Sequence, residues 1–479
     1  MSLFEKKGQS KTTFGIIVGN RDVFPDVLAK EGRNEIIDVM KELGYDFVIL
    51  GENETKDGVV ETYSDAKICA DLFKERREDI TGIIVVLPNF GDEKGVANTI
   101  KMSKLNIPIL IHASSDDPTQ MGRAYRRDAF CGKLSVCNLL YQMGVPFSLT
   151  KSHTCSIKSE DFKNDIVKFD SICQIVSKIR NARLGQVGTR PAAFATVRYS
   201  EKLLENCGIT IEPIDFSEIL AAINVLKEDD PNVQKKINLI KDYTETKVFP
   251  EDPLMKLAKM TVVVENWVKE NELDGFAFQC WPSVQDNLGI AACLVLSMFN
   301  EALIPGACEV DISGLVGMLV LQLASNTPSA ILDWNNNYDY NEDKLVTFHC
   351  SNLPKSFLKN AQIRVHPIIK DLKGEDVSFG AVEGRIPAEP CTFLRVETDD
   401  ISGKIKAMLG EGEYTEDPLS TFGGYGVLKI PKLQDLLHKL CKEGYAHHVA
   451  ATLNQVGDIV YEALTTYLGW NVDYHTKDF

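Results

Sequence analysis

The sequence has few basic residues for its length and no long apolar run. It contains 52 Lys and Arg against 68 Asp and Glu, a formal net charge of −16. Because proteins bind nucleic-acid phosphates through a basic surface, this charge argues against nucleic acid as the main partner. No apolar run approaches the roughly 18 residues that a membrane-spanning helix needs, and the first residues lack the apolar core of a signal peptide. We therefore expect no membrane partner, while small sugars or acids stay open as ligands.

Several short motifs are missing as well. The twelve cysteines include no CxxC pair. Cysteines scattered through apolar segments are typical of a reducing compartment, so we expect a cytoplasmic protein. No GxGxxG follows the first predicted strand, which argues against a nicotinamide or flavin cofactor. The compact metal motif HExxH is also absent.

The length of 479 residues predicts two to three domains. In the first, predicted over 1–165, apolar strands alternate with amphipathic helices, a pattern typical of a parallel sheet covered on both faces. The predicted strands are 15–19, 46–50, 82–87 and 108–113, and the helices are 26–43, 64–77 and 93–105. Ligands of such sheets bind at the carboxyl ends of the strands. Arg21 and Asn89 follow the first and third strands and are candidate ligand contacts, although turn and capping roles stay open.

A second strand–helix series predicts another parallel-sheet domain over 166–345. Its predicted strands are 192–197, 209–214 and 275–280, followed by a helix over 285–300. Arg198, Gln279 and Trp281 stand at the carboxyl ends of two of these strands. We consider them candidate substrate contacts, with structural packing as the alternative for each.

The stretch 303–334 organises this second domain. It is predicted as a short strand ending near Glu309, an apolar helix over 312–324, and a second strand ending on Asp333. Two strands joined by one crossover helix are expected to be parallel neighbours. Glu309 and Asp333 are then expected side by side at the carboxyl edge. Two close carboxylates indicate divalent metal binding and proton transfer, whereas a solvated Glu and a helix-capping Asp are the alternative.

After Trp334 the pattern changes to short strands separated by turn residues, which predicts a β-rich, barrel-like domain, with bounds expected at 346–479. Two closing helices are predicted over 432–443 and 447–468. The predicted fold class is therefore α/β, with two doubly wound parallel-sheet domains followed by a β-rich C-terminal domain.

Three histidines stand out by position. His349 ends the first predicted strand of the C-terminal domain, and His447 and His448 open its last predicted helix. A Glu, an Asp and one or two His form a mixed oxygen and nitrogen site that suits Mn²⁺, Co²⁺ or Mg²⁺ better than structural zinc. Each histidine taken alone is more often a structural residue than a ligand.

Four features together resemble the L-fucose isomerase and L-arabinose isomerase family. They are the run ACEVDISGLVGMLVLQLA, the Asp of ILDW 24 residues after its Glu, FHC at 348–350, and the His-His pair near the C-terminus. The resemblance implies that Glu309 and Asp333 are metal-binding carboxylates that also transfer protons. It implies that His448 (or His447) is the C-terminal histidine ligand, that His349 is an additional ligand, and that Arg21 contacts the substrate. His447, if it is not the ligand, is a candidate substrate contact.

The same resemblance implies a metal-dependent aldose–ketose isomerase that acts on an open-chain sugar through an enediol, with a metal-promoted hydride shift as the rival chemistry. It also implies Mn²⁺ and a closed homo-oligomer, a hexamer or a trimer. The substrate stays open among L-fucose, L-arabinose and anionic hexoses such as sulfoquinovose. The arginine-rich segment 121–128 favours an anionic group. The alternative function is a sugar-binding or regulatory protein of the same fold without turnover.

Overall fold

The protein is described by a computed structural model that covers residues 2–4 and 11–477. The described chain divides into two compact units. The first, here called the N-terminal unit, comprises residues 11–178 and 462–469. The second, here called the main unit, comprises residues 2–4, 179–461 and 470–477. The domain boundaries expected at 165 and 345 stay predictions.

The N-terminal unit is built on a five-stranded parallel sheet, as predicted. The strand order is β2-β1-β3-β4-β5. The strands are β1 (Thr13–Val18), β2 (Phe47–Ile49), β3 (Ile80–Leu87), β4 (Ile109–Ala113) and β5 (Ser148–Leu149). Strands β1, β3 and β4 are almost entirely buried, as expected of a sheet covered on both faces.

Five helices cover this sheet, and three of them begin at side-chain caps. At the start of the last one, Ser159 Oγ accepts a hydrogen bond from the Phe162 N–H at 3.2 Å. Thr62 and Asp65 form a reciprocal capping box at the start of α2, and Asp92 accepts a hydrogen bond from the Gly95 N–H at the start of α3. The helices are α1 (Asp26–Leu43), α2 (Tyr63–Glu75), α3 (Glu93–Ser103), α4 (Ala129–Gln142) and α5 (Glu160–Ile179).

The main unit begins with a four-stranded parallel sheet of order β7-β6-β8-β9. Its strands are β6 (Arg183–Val187), β7 (Thr210–Ile214), β8 (Gly275–Phe278) and β9 (Gly306–Cys308). The helices of this part are α6 (Glu201–Asn206), α7 (Phe216–Val225), α8 (Pro231–Tyr243), α9 (Glu251–Glu270), α10 (Ser283–Leu288), α11 (Cys293–Glu301) and α12 (Ile312–Ser325).

Two predictions in this part were wrong. The segment 192–197 is not a strand, because most of it is exposed and its end forms a 3₁₀ turn; the strand is β6 instead. The sequence analysis missed β6 because Gly185 interrupts its apolar pattern. A glycine is required at this position because a side chain would collide with Trp267. The helix expected over 285–300 is interrupted after α10, where Gly289 adopts a left-handed conformation with φ +65°.

The rest of the main unit is a nine-stranded sheet of order β12-β13-β16-β11-β10-β17-β14-β15-β18. Because β15 also pairs with β16, six of the strands close into a barrel, as predicted. The strands are β10 (Ala330–Asn337), β11 (Lys344–His349), β12 (Lys359–Val365), β13 (Phe379–Arg385), β14 (Pro390–Asp399), β15 (Lys404–Thr415), β16 (Gly424–Lys429), β17 (His448–Thr452) and β18 (Asn471–Tyr474). The helices are α13 (Pro367–Lys373), α14 (Leu433–Glu443) and α15 (Gly457–Glu462).

Two further predictions were wrong here. Strands β9 and β10, on either side of α12, are not parallel neighbours: β9 ends the small sheet, and β10 is a strand of the barrel. The helix expected over 447–468 is confined to α15 and a following π-helical turn, Ala463–Tyr467. His448 instead begins β17, a strand buried along its whole length.

No helix in the described part of the chain combines the length and apolar character that crossing a membrane requires.

Candidate active site

A cavity of about 530 Å³ lies in the main unit, between the ends of β8 and β9 and the barrel strands β10, β11 and β17. One part of its wall is apolar and the other is ionisable. The apolar part includes Phe194, Trp281, Trp334, Phe348, Ile368 and Leu372, and the ionisable part includes Glu309, Asp333, His349, His366, Lys373, His447 and His448.

Glu309 enters the cavity from the turn after β9. Glu309 and Val310 both have left-handed backbone conformations, with φ of +52° and +59°, a combination that is unfavourable for non-glycine residues. The turn carries the carboxylate into a buried position, where it is 4 % exposed. The indole N–H of Trp281 donates to Glu309 Oε1 at 3.1 Å. The other oxygen, Oε2, is buried and has no hydrogen-bond partner.

Asp333 and His448 meet through strand pairing. They are direct partners in the β10–β17 ladder, and the Nε2 atom of His448 lies 3.4 Å from Asp333 Oδ1. The same Nε2 atom lies 3.5 Å from Glu309 Oε2. The two carboxylates therefore face one imidazole, although the strands β9 and β10 that lead to them are not the parallel neighbours that we predicted.

Two more histidines complete this cluster. The Nε2 atom of His349 lies 3.9 Å from Glu309 Oε2, and the Nε2 atom of His447 lies 3.3 Å from Asp333 Oδ1. Glu309, His349 and His448 form one group with metal-ligand spacing, and Asp333, His447 and His448 form another. His448 belongs to both groups.

A buried network of charged residues contacts His448 at Nδ1, the ring nitrogen opposite Glu309 and Asp333. Asp311 Oδ2 lies 3.0 Å from His448 Nδ1 and accepts a hydrogen bond from Arg395 Nη1 at 2.5 Å. Arg395 also donates to Glu397 at 2.7 Å and to the backbone carbonyl of His448 at 3.2 Å. The side chains of Asp311 and Arg395 are both fully buried. Because a buried charge needs a close partner, this network fixes the imidazole and the strand that carries it.

The network also shifts pKa values. Burial alone would raise the pKa of Asp311, but the positive charge of Arg395 and the hydrogen bond with His448 hold it well below its usual range. Burial acts to lower the pKa of His448, yet Asp311 and the charge of Glu309 outweigh burial and raise it. Likewise, burial of His349 is outweighed by Cys350, Asp333 and Glu309, which raise its pKa to about 9.

The protonation of His447 differs from that of its neighbour. Burial and the proximity of His448 lower the pKa of His447, and Asp333 only partly offsets them. His447 is thus the imidazole of the pair that more readily stays neutral.

Trp281 lines the cavity, but Gln279 and Arg198 are not among its lining residues. Gln279 donates to Ser283 Oγ at 2.9 Å and accepts from the Thr189 N–H at 3.2 Å. Arg198 donates to the carbonyl of Ala195 and lines a separate cavity of about 310 Å³. Their substrate-binding roles stay predictions.

Arg21 and Asn89 lie close together in the N-terminal unit. Arg21 donates to the carbonyl of Gly91 at 2.9 Å, forms an ion pair with Glu93 and lies over the ring of Phe90. Asn89 is fully buried and accepts a hydrogen bond from the Gly91 N–H at 3.0 Å. Their substrate-binding roles also stay predictions.

Sequence reasoning missed Asp311, Arg395 and the cysteines at the cavity. Asp311 stands two residues after Glu309, and its side chain caps α12 as well as holding His448. Arg395 had a usable signal, since it is a single cation within the apolar strand segment CTFLRVE. A charge inside a buried strand indicates a buried partner.

The donor set fits a divalent cation. Two carboxylates and two or three imidazoles are ligands suited to Mn²⁺, Co²⁺ and similar ions. In particular, Glu309 Oε2 is a buried carboxylate oxygen without a hydrogen-bond donor, which is costly unless a cation or proton compensates it.

Two protein-family models match parts of the chain. Residues 15–180 match the fucose/sulfoquinovose isomerase N-terminal domain, and residues 347–476 match the L-fucose isomerase C-terminal domain. The chain belongs to the L-fucose isomerase family. It is therefore an aldose–ketose isomerase of a metal-dependent family.

Several proteins that are similar to this chain are sulfoquinovose isomerases. The sulfoquinovose isomerase of Priestia aryabhattai is 23% identical over 364 residues, which cover 74% of this chain and 77% of that protein. The sulfoquinovose isomerase of Clostridium sp. (strain MSTE9) is 26% identical over 293 residues, 60% of this chain and 63% of that protein. The one from Alkalicoccus urumqiensis is 22% identical over 356 residues, 73% of this chain and 76% of that protein.

Proposed function

We propose that this isomerase converts open-chain sulfoquinovose, or a closely similar sugar, into its ketose with a divalent cation held by Glu309, Asp333, His448 and His349. The observation that carries the proposal is the convergence of two carboxylate oxygens on His448 Nε2, at 3.4 and 3.5 Å, in the wall of one cavity. Manganese is the proposed ion, with Co²⁺ or Mg²⁺ as alternatives. The reaction moves hydrogen within one molecule, so it needs no nicotinamide or flavin.

The two carboxylates differ in surroundings and are assigned different tasks. A bound divalent cation supplies Lewis acidity for the negative charge that develops on the sugar. Asp333 keeps 27% of its side chain exposed and is assigned the removal of the proton from C2 and its delivery to C1. Glu309 is almost fully buried and tethered by Trp281, so it is assigned as a ligand of the cation and as the group that moves the hydroxyl proton from O2 to O1. His447, 3.3 Å from Asp333, orients the acid that faces the sugar.

Sulfoquinovose is favoured as the substrate because the similar proteins are sulfoquinovose isomerases. Lys373 at the cavity adds a positive charge, but its ammonium is already paired with Asp286 at 2.7 Å. The arginines of segment 121–128 give weaker support, because Arg126 is paired with Asp128 and Arg127 donates to the carbonyl of Pro88. L-Fucose and L-arabinose are the alternatives.

By resemblance to the family, we also propose that the enzyme acts in the cytoplasm as a closed homo-oligomer, a hexamer or a trimer. Sedimentation of the purified protein measures this state directly. A monomer at micromolar concentration contradicts the proposed assembly.

The substrate proposal is tested with a sugar panel. Purified protein is incubated with sulfoquinovose, L-fucose or L-arabinose and Mn²⁺, Co²⁺ or Mg²⁺, with EDTA as a parallel arm and no nicotinamide. We expect the ketose of sulfoquinovose in the metal arms and none with EDTA. Sugar binding without ketose in any arm supports the alternative, a binding protein without turnover.

Replacing Glu309 with Gln tests the site itself. The Glu309→Gln variant keeps the shape of the side chain but loses its charge, so we expect turnover to fall by about 100-fold or more. Glu270→Gln, on the exposed end of α9, is the matched control and is expected to keep full activity. Full activity of Glu309→Gln with an unchanged circular dichroism spectrum contradicts the assignment.

A further inference from the structure

Two thiols of the cavity wall are not used by the isomerase reaction. Cys308 ends β9, and Cys280 follows β8 by two residues. Because β8 and β9 are adjacent parallel strands, both cysteines lie at the same sheet edge. Their Sγ atoms are 2.8 Å apart, and both residues are buried. The Cys308 thiol therefore donates to Cys280 Sγ, beside the chain turn that carries Glu309.

The neighbouring carboxylate completes a three-residue ligand set. Ligand atoms of Cys280, Cys308 and Glu309 all lie within 4.8 Å of one another. Glu309 Oε2 is buried and lacks a hydrogen-bond donor. All three residues line the same cavity, so an ion that reaches the isomerase site also reaches the thiols.

We infer that Cys280, Cys308 and Glu309 form a second metal site, which takes a thiophilic divalent cation such as Zn²⁺ or Cd²⁺ in competition with the isomerase cation. Thiolates favour such ions strongly over Mn²⁺ or Mg²⁺. Binding displaces two thiol protons into solvent, and the two sulfurs and one carboxylate oxygen leave a fourth position open towards the cavity.

The geometry requires a small opening of the pair. With metal–sulfur distances of about 2.3 Å, tetrahedral coordination places two sulfurs about 3.7 Å apart. The Sγ atoms therefore separate by about 0.9 Å on binding, a change that a side-chain rotation at one cysteine supplies.

The shared ligand makes this site inhibitory. Glu309 belongs to both ligand groups, so a thiophilic ion on the cysteines competes with the isomerase cation for its carboxylate. This consequence rests on the proposed function, whereas occupancy of the thiol site does not.

The test is a titration of metal-stripped, full-length protein with Cd²⁺ alone, followed by the ultraviolet charge-transfer absorption of cadmium thiolate. We expect the band to saturate at one equivalent in the wild type and to disappear in Cys280→Ser/Cys308→Ser. The matched control is Cys293→Ser/Cys350→Ser, a second cysteine pair of the same cavity wall, which is expected to keep the band. A band that survives in the first double variant, or that is lost only in the second, overturns the inference.

Two further measurements separate this result from misfolding and from the isomerase proposal. X-ray absorption of the cadmium-loaded wild type is expected to show two sulfur ligands and needs no variant; a spectrum with oxygen and nitrogen neighbours only overturns the inference. One equivalent of Cd²⁺ is also expected to weaken Mn²⁺ binding at least tenfold in the wild type and not in Cys280→Ser/Cys308→Ser. Absence of the cadmium thiolate band in the wild type refutes the thiol site, whereas a wild-type band with unaltered Mn²⁺ binding refutes only the sharing of Glu309.

Discussion

Asp311 determines which nitrogen of His448 faces the cavity. Its carboxylate lies 3.0 Å from Nδ1, and a carboxylate accepts hydrogen bonds, so Nδ1 carries a proton and Nε2 is the nitrogen that faces Glu309 and Asp333. Arg395 compensates the negative charge of Asp311 in a fully buried position. The metal-facing tautomer therefore depends on residues that touch neither cation nor sugar.

Replacing Asp311 with Asn is expected to weaken Mn²⁺ binding about 10- to 100-fold, because the neutral amide no longer orients and polarises the imidazole. Electron paramagnetic resonance of free Mn²⁺ measures the change in affinity. Asp435→Asn, an exposed aspartate on α14, is the control and is expected to bind Mn²⁺ normally. Unchanged affinity in Asp311→Asn shows that this carboxylate does not position the ligand.

A second residue-scale prediction concerns His112 in the N-terminal unit. The imidazole is fully buried, and its Nε2 atom bonds the carbonyl of Cys155 at 2.9 Å while Nδ1 has no partner. Burial, with Lys133 and Arg127 nearby, lowers the pKa of His112 to about 3. Since the unfolded chain binds the proton near pH 6.5, the unfolded state gains protons first as the pH falls below that value.

Stability contributed by neutral His112 is therefore present above pH 6.5 and is lost progressively as the pH falls towards 3. Between pH 7 and pH 5 the loss amounts to about 2 kcal/mol. Urea unfolding of the wild type and of His112→Gln at both pH values measures it. The variant is expected to be less stable at pH 7 but less sensitive to acid by about that amount; equal sensitivity of the two proteins contradicts the assignment.

Among the elements, α12 explains why the sequence analysis placed Glu309 close to Asp333 although it wrongly predicted that the strands on either side of α12 pair with each other. Every residue from Ile312 to Ala324 is buried, since the helix contacts both the small sheet and the barrel. A strand–helix–strand pattern in the sequence is the same whether the two strands belong to one sheet or to two different sheets. Burial on all sides was visible in the apolar sequence, however, and a helix with no polar face indicates packing between two layers.

Other elements show the same difference between structure that is set locally and structure that is set by distant contacts. Long apolar strands such as β3 and capped helices such as α3 were predictable because their signals are local. The strand β17 was not, because His448, Ala450 and Ala451 carry little β preference and its place is set by pairing with β10 and β14. The residues of the candidate site were therefore easier to nominate than the elements that bring them together.

An element-scale prediction concerns the packing of α4. A Cβ atom at Gly132 would lie 1.5 Å from the carbonyl oxygen of Phe90, in the loop that carries Asn89. Gly132→Ala must therefore displace backbone, and we expect a loss of about 3 kcal/mol in the free energy of unfolding. Gly122→Ala, where nothing lies within 4 Å of the added atom, is the control. Chemical unfolding of both variants measures the difference, and equal stabilities would refute the close packing of α4.

At the scale of the whole molecule, the N-terminal unit includes a segment from the far end of the chain. Residues 462–469 cluster with residues 11–178. The hydroxyl of Tyr467 lies 2.8 Å from Ser148 Oγ and donates to the carbonyl of Ile109 at 3.2 Å. The phenol thereby joins the edge of the parallel sheet to the C-terminal segment.

Removing this hydroxyl with Tyr467→Phe is expected to destabilise the protein by about 1–3 kcal/mol, because buried polar groups of the sheet edge lose their partner. Tyr340→Phe, at a tyrosine that is 97 % exposed, is the matched control and is expected to be neutral. Thermal unfolding reports both changes, and a neutral Tyr467→Phe is evidence against this anchoring contact.

This contact between Tyr467 and Ser148 spans 319 residues of sequence, and it has a consequence for biosynthesis. A ribosome that has released the five strands of the first sheet must still add about 300 residues before the last piece of that unit emerges, at roughly 5–20 residues per second. For that interval the nascent sheet lacks a partner segment, and such incomplete intermediates are the species on which chaperones act.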